Sequence, residues 1–296
     1  MLWVRHMNKH LKGSILIITA MLLYSITGPF VRLVSIEPEK ILFFTYLFGI
    51  IFLLIYFVFT KQLKKLVVKK ERFLLFFIGL LSVLTTFAYY KAYILTTLSN
   101  AVLVHYLAPV IAAVSAIVFL KEKLERITVV SLVLSLFGLY LITSPNLVLG
   151  NKHLLGIFFA FSSAVGYGLW IVTSKKLVKK LSFEVILFYQ GIVSILILLP
   201  LIGFDLSLTL KPFSLLAVYA LLIYVLSGFL FLAGIKYVEA QHVGIIAYAE
   251  VIFVVLFGFL FFKEIPGIST LIGGLLIIFS GYLVVRSEAV IADKEY

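Results

Sequence analysis

Long apolar runs separated by short charged segments dominate the chain. Ten runs come close to or exceed the roughly 20 apolar residues that a helix needs to cross a bilayer, and charged clusters, Pro and Gly separate them. The runs are too long and continuous for the alternating strands of a membrane β-barrel. We therefore predict ten membrane-spanning helices, numbered spans one to ten, at about 13–34, 41–60, 73–95, 98–120, 127–144, 154–174, 184–203, 213–235, 242–262 and 267–286.

The composition is typical of a chain embedded in lipid. Of the 296 residues, 63% are hydrophobic and 13% are charged, and the mean hydropathy is +1.20. A soluble domain contains only about 45–50% apolar residues. We therefore predict an all-α membrane protein whose outer surface contacts membrane lipids.

Basic residues predict the orientation, because Lys and Arg in short loops stay on the cytoplasmic side. With the N-terminus inside, nineteen of the 25 basic residues fall at the inner face, and an even number of spans returns the C-terminus there. We expect a multi-pass protein of a prokaryotic-type cytoplasmic membrane with both termini cytoplasmic. The net charge of +12 then faces an anionic leaflet, so nucleic-acid binding is not expected.

The two halves of the sequence resemble each other. When the halves are aligned, Tyr106 meets Tyr248, and the Lys-Glu pair that ends span four meets the Lys-Glu pair that ends span nine. Each repeat contains an odd number of crossings, so the second copy is inverted in the membrane. Inverted repeats that enclose a site at the membrane midplane are characteristic of secondary transporters. We assign residues 1–146 and 147–296 to two inverted five-helix repeats.

An ordered pair of motifs resembles a known family. S-N-A at 99–101, followed by APV and KEKL within 108–124, returns as YVEAQHVG, AEV and KEI within 237–265. This pattern resembles the EamA branch of the drug/metabolite transporter superfamily. The resemblance implies a ten-helix carrier that exports small organic solutes. It also implies that spans one, three, four, six, eight and nine surround a central cavity, with spans five and ten at the periphery.

Two positions depart from that family's pattern. The family often has an Arg early in span two, where this chain has Thr45. The family also tends to have a proline after the glutamate of span nine, but Glu250 is followed by Val251, and only Pro109 in span four remains. The second departure weakens the expectation that span nine bends in the way that span four does.

Polar and aromatic stripes on the helices indicate where a cavity lies. Ser82, Thr86 and Tyr89 share one face of span three, and similar stripes occur on spans one, six and eight. The alternative is that small and hydroxylated residues simply allow close helix packing, which is their commonest use in membranes. The predicted substrate-contacting residues are Tyr24, Thr86, Tyr89, His105, Tyr106, Tyr167, Trp170, Ser227, Phe231, Tyr248 and Glu250.

Glu250 and His105 are the candidate ionisable groups. Glu250 is too deep for its short side chain to reach the interface, and an acid at that depth is costly and usually functional. Because burial disfavours the ionised form, proton coupling is one expectation, with a proton exchanged for a cationic substrate group. The alternative is a structural hydrogen bond through Tyr106 or His105. His105 itself is either a structural histidine or a cavity ligand or proton carrier.

These features predict a secondary transporter, an exporter of small organic metabolites such as amino acids or amines, which works by alternating access as a monomer or homodimer. An aromatic cavity with one acid suits such cationic groups. No catalytic residue, cofactor or metal site is predicted, because the chain has no Cys and its aspartates, Asp205 and Asp293, lie outside the spans. A polytopic membrane enzyme and a channel remain alternatives, although no ring of filter residues is evident.

The topology can be tested by cysteine labelling, because the natural chain contains no Cys. We expect Leu206→Cys to react with a membrane-impermeant maleimide added to intact cells. Leu66→Cys should react only after the membrane is opened, because the segment around it is rich in lysine. Labelling of position 66 in intact cells would contradict the predicted orientation.

Overall fold

The computed structural model describes residues 9–27, 30, 34, 36–144, 147, 150, 153–207, 210–263 and 265–294. Their regular structure is helical throughout, which confirms the all-α fold class. A 3-10 turn covers Leu63–Leu66, and Ala220–Ser227 forms a π-helix. The α-helices are Lys9–Tyr24, Pro38–Phe59, Arg72–Leu95, Leu98–His105, Ala108–Leu120, Arg126–Thr143, Leu154–Leu177, Phe183–Leu201, Leu210–Tyr219, Gly228–Tyr237, Ala240–Ala247, Ala249–Phe262 and Ile268–Lys294.

The helices follow the predicted spans closely. Within the described residues, nine helical segments are long and apolar enough to cross a membrane. They correspond to spans two to ten. Span one is described as the helix Lys9–Tyr24, and part of its predicted outer end, including Arg32, lies outside the described residues.

Spans four and nine are each interrupted at a tyrosine. Span four breaks at Tyr106, just before Pro109, which lacks a backbone N–H and cannot continue the helix without distortion. Span nine breaks at Tyr248, where the backbone bonds from Tyr248 N to Ile245 O, 3.2 Å, and from Val251 N to Tyr248 O, 3.0 Å, are of the 3-10 type. Span nine therefore breaks as span four does, although no proline marks the position.

The two tyrosines at these breaks contact each other directly. The hydroxyl of Tyr248 donates to the carbonyl oxygen of Tyr106 at 2.5 Å, and their rings stack with centroids 5.6 Å apart. In a regular helix the backbone N–H of Val110 would donate to that carbonyl oxygen, but here it donates to the carbonyl oxygen of Leu107. An unsatisfied backbone group costs several kcal/mol in lipid. The Tyr248 hydroxyl therefore stabilises the break in span four and ties it to the break in span nine.

Helix packing follows the inverted repeat. Span three packs along span six, and span one packs along the second part of span eight, which is the equivalent pair in the repeat. Spans five and ten pack against each other at a glycine contact: a Cβ added to Gly138 would lie 2.6 Å from the carbonyl oxygen of Gly273. Span ten is the least buried of the candidate spans, so this pair lies at the edge of the bundle.

The Lys-Glu motif at the end of span four links the two halves of the protein. Lys121 ends the helix in the left-handed conformation, with φ of 59°, and Lys263 does the same for span nine with φ of 56°. The carboxylate of Glu122 accepts hydrogen bonds from the backbone N–H groups of Ala240 at 3.0 Å and Gln241 at 3.2 Å. A negative charge is stabilising at a helix N-terminus. Glu122 therefore caps the start of span nine.

Some polar side chains near the predicted inner face are deeply buried, although residues next to loops are usually exposed. Lys175 is 7% exposed, and its ammonium donates to the carbonyl oxygen of Ile235 at 2.7 Å. His242 is fully buried, with Nε2 2.8 Å from the Thr128 hydroxyl. These contacts hold the ends of spans five, six, eight and nine together.

Removing the hydroxyl of Tyr248 tests the contact between the two breaks. We expect Tyr248→Phe to lower the stability of the purified protein by about 1 to 3 kcal/mol, because the Tyr106 carbonyl loses its partner in a dry environment. The melting temperature in detergent is the measurement. Tyr282→Phe, which changes a tyrosine exposed on span ten, is the matched control. Equal melting temperatures for the two variants would contradict the proposed importance of this bond.

Candidate functional site

A row of aromatic rings runs through the centre of the bundle. His105 stacks on Tyr89 with centroids 3.9 Å apart and on Tyr167 at 5.6 Å. Trp170 continues the row, 6.2 Å from Tyr167 and 5.8 Å from Phe231. We call this set the central aromatic row, and its members are Tyr89, His105, Tyr167, Trp170, Phe231 and Tyr24, the last edge-on to Phe231 at 6.3 Å.

The row gathers side chains that are far apart in the sequence. They come from spans three, four, six, eight and one. Five of them were predicted from stripes on four helices, and His105 was predicted as an ionisable residue within span four. Tyr24, Tyr89 and Tyr167 remain partly exposed although they lie in the interior of the bundle, whereas Phe231 is fully buried. One side of the row is therefore accessible, and the other side packs into the core.

Glu250 lies beside this row. It is in the first turn of the second helix of span nine, its carboxylate hydrogen bonds with the side chain of Tyr106, and it is partly exposed. The hydroxyls of Tyr24, Tyr167 and Tyr219 lie within electrostatic range of its carboxyl group. Within the described residues Glu250 makes no salt bridge. The site therefore combines one acid with several phenol groups.

His105 takes part in a hydrogen-bond chain within the core. Its Nδ1 lies 2.9 Å from the hydroxyl of Ser163, which donates to the carbonyl oxygen of Thr85 at 2.8 Å. A hydroxyl has only one hydrogen to donate, so Nδ1 of His105 must be the donor in this contact. The ring orientation of His105 is thereby fixed from span six. A role as ligand or proton carrier stays a prediction.

A second polar network lies behind Trp170. The indole Nε1 of Trp170 donates to Oε1 of Gln190 at 3.1 Å, and Nε2 of Gln190 donates to the hydroxyl of Ser82 at 3.0 Å. Ser82 in turn lies 2.8 Å from the hydroxyl of Tyr46. We call Trp170, Gln190, Ser82 and Tyr46 the Gln190 network. Sequence reasoning missed Gln190 and Tyr46, although a single amide in the apolar run of span seven was a usable signal.

Three other predicted residues use their hydroxyls for backbone contacts. Ser227 is fully buried and donates to the carbonyl oxygen of Ala20 at 3.0 Å, which joins span eight to span one. Thr86 donates to the carbonyl oxygen of Ser82 at 2.9 Å within its own helix. The hydroxyl of Tyr248 is taken by Tyr106, as described above. Substrate contact by Ser227, Thr86, Tyr106 and Tyr248 stays a prediction.

The π-helix of span eight brings further tyrosines to the centre. Tyr219, directly before it, donates to the hydroxyl of Thr27 at 3.0 Å. Tyr224, within it, hydrogen bonds to the carbonyl oxygen of Leu187 and packs edge-on against Tyr46 at 5.0 Å. π-helical turns occur frequently at functional sites. No periodicity in the sequence indicates this segment.

Two basic residues near the predicted outer face are paired. Lys91 lies 3.4 Å from Glu39, and Lys40 lies 2.5 Å from Asp205. The hydrogen bond from Lys40, assisted by Ser207, holds the pKa of the Asp205 carboxyl below its usual range. These two cations are therefore committed to an acid at the start of span two and an acid after span seven. Among the described residues, no group of three or more His, Asp or Glu side chains could hold a metal ion.

Known proteins share this sequence pattern and fold. An uncharacterized transporter of Archaeoglobus fulgidus is 30% identical over 97% of this chain and 100% of its own. An S-adenosylmethionine uptake transporter of Rickettsia conorii is 26% identical over 87% of this chain and 86% of its own. A solved crystal structure, 17% identical, superposes with a TM-score of 0.81 over 94% of this chain and 98% of its own, which shows the same fold.

The family comparison covers both repeats. The sequence model of the EamA-like transporter family matches residues 11–144 and again residues 154–286. These two segments contain all ten spans and every residue of the central aromatic row. The chain therefore belongs to the EamA-like transporter family.

Proposed function

We propose that the protein is a secondary transporter that exports small organic metabolites with a cationic group, such as amines or amino acids, by alternating access. The observation that carries this proposal is Glu250, which lies beside the central aromatic row with phenol groups around it. Within the described residues it has no basic partner. A cationic substrate group would supply the missing opposite charge.

The chemistry around Glu250 favours a cation with an attached apolar or aromatic body. A carboxylate and the faces of Tyr and Trp rings both attract an ammonium group, and cation–π attraction contributes about 0.5 to 2 kcal/mol. Tyr24 and Tyr167, whose side chains are partly exposed, present such faces near the acid. The hydroxyl of Tyr167 can donate to a substrate carboxylate, so an amino acid also fits this proposal.

Alternating access is supported by the equivalence of the two halves. Each half contributes one helix broken at a tyrosine, and the two breaks meet at the centre of the bundle. Rocking of one repeat against the other around a fixed central site is the usual mechanism of such folds. We propose that the protein lies in the cytoplasmic membrane. The distribution of Lys and Arg supports an orientation in which both termini face the cytoplasm.

The direction of net transport is proposed from the family resemblance, which implies export. The Rickettsia conorii relative, by contrast, is named for uptake. The direction can be measured in vesicles that contain the protein in a known orientation. The solute is placed on one side, and a pH gradient of either sign is applied.

The same vesicles test the alternative classes of protein. Saturation and counter-exchange would distinguish a carrier from a channel, and chemical conversion of the solute would indicate an enzyme.

A matched set of solutes tests the substrate class. We expect 2-phenylethylamine to raise the melting temperature of the purified protein, because a ligand that binds only the folded state stabilises it. L-phenylalanine should give a smaller rise, and phenylacetate, which has the same ring but only a negative charge, should give none. Stabilisation by phenylacetate alone would contradict the proposed role of the acid.

Neutralising the acid tests its role in transport. We expect Glu250→Gln to remain folded but to transport 2-phenylethylamine roughly thirtyfold more slowly and without pH dependence, because about 2 kcal/mol of charge pairing is lost. Glu184→Gln is the matched control. It changes a buried acid of span seven that pairs with Lys65 at 3.4 Å, away from the central aromatic row. A wild-type rate and pH profile in Glu250→Gln would show that the acid is structural.

A further inference from the structure

We infer that Gln190 is a positioning residue that fixes the indole of Trp170 in the substrate site and so sets substrate affinity and selectivity. The inference rests on the proposed function of the central aromatic row. Gln190 is not a member of that row and is 5% exposed, so it acts through Trp170.

The indole of Trp170 needs a polar partner at this depth. A buried Trp N–H usually finds a hydrogen-bond acceptor, and the bilayer interior offers none outside the protein. Trp170 is 9% exposed, and Oε1 of Gln190 accepts from its Nε1 at 3.1 Å. The orientation of the indole is therefore tied to span seven, while its ring faces contact Tyr167 and Phe231.

The direction of the hydrogen bonds explains why an amide occupies this position. The indole nitrogen can only donate, so it requires an acceptor, and the other end of the amide must then donate. Nε2 of Gln190 does so to the hydroxyl of Ser82, 3.0 Å away. Glutamate would retain the acceptor but lose the donor, and leucine would lose both. Glutamine satisfies both neighbours at once with the hydrogen bonds in these directions.

The Gln190 network also connects the two sides of the site. Through Ser82 it reaches Tyr46, which packs edge-on against Tyr224 of the π-helix. Spans six, seven, three and two are thus joined by polar bonds that meet at Gln190 and Ser82. A change at Gln190 should therefore alter the position of the indole that a substrate contacts.

Fluorescence of Trp170 tests the inference without any solute. The chain contains only two tryptophans, so Trp3→Phe leaves Trp170 as the single reporter. In this background, we expect Gln190→Leu to shift the emission maximum to shorter wavelength, because the indole N–H loses its acceptor. Gln190→Glu, which keeps the acceptor, should restore most of the wild-type emission. Ser82→Ala, which frees the far end of the amide, should give a smaller shift in the same direction as Gln190→Leu.

Transport measurements on the same variants test the effect on affinity. For transport of 2-phenylethylamine into vesicles, we expect Gln190→Leu to raise KM roughly tenfold, with a much smaller change in maximum rate. A tenfold change corresponds to the free energy of about one hydrogen bond. Thr173→Val is the matched control, since Thr173 is buried on the same helix as Trp170 but bonds only to the carbonyl oxygen of Leu169, at 2.8 Å. It should change neither emission nor KM.

The outcomes separate this inference from the proposed function. Unchanged emission in both Gln190→Leu and Ser82→Ala would overturn the positioning role. Shifted emission with unchanged KM would overturn the link to affinity. A wild-type protein that neither binds nor moves 2-phenylethylamine would contradict the proposed substrate class, and the emission data would still decide whether Gln190 positions Trp170.

Discussion

The structure depends on the requirement that every backbone polar group inside a bilayer finds a partner within the protein. An unbroken helix meets this requirement by itself, but spans four and nine are each interrupted within their apolar length. At the break in span four, the hydroxyl of Tyr248 supplies the hydrogen bond that the carbonyl oxygen of Tyr106 needs. Because His105 precedes this break and Glu250 follows the other, the same bond also places the ionisable groups of the candidate site.

The same requirement explains how the aromatic side chains are held. His105 is oriented by Ser163, Trp170 by Gln190, and Tyr224 by the carbonyl oxygen of Leu187. In each pair the two residues come from different spans. The polar atoms of these side chains are thus anchored by neighbouring spans, while the rings of His105 and Trp170 stack within the central aromatic row. A preorganised site of this kind loses less side-chain freedom when a solute binds.

Much of this arrangement could be predicted from the sequence, because apolar runs and the internal repeat are regular signals. Five residues of the central aromatic row were found from helical stripes, since a face that lines a site repeats along its helix, and His105 was found as an ionisable residue within an apolar span. The break at Tyr248 could not be predicted, because no proline marks it and its contact with Tyr106 joins residues 142 positions apart in the sequence. Gln190 was missed for a related reason: it is a single polar residue whose partners lie on other helices.

The π-helix at Ala220–Ser227 has a consequence for the evolution of span eight. A π-helical segment accommodates one residue more than an α-helix with the same number of turns. Deleting one residue there would restore regular α-helical geometry while keeping the flanking segments in line. Loss of one residue before Ser227 would therefore leave the segment that follows, and its contact with span one, in place. Relatives with a different length in this segment would present a different tyrosine to the centre of the protein.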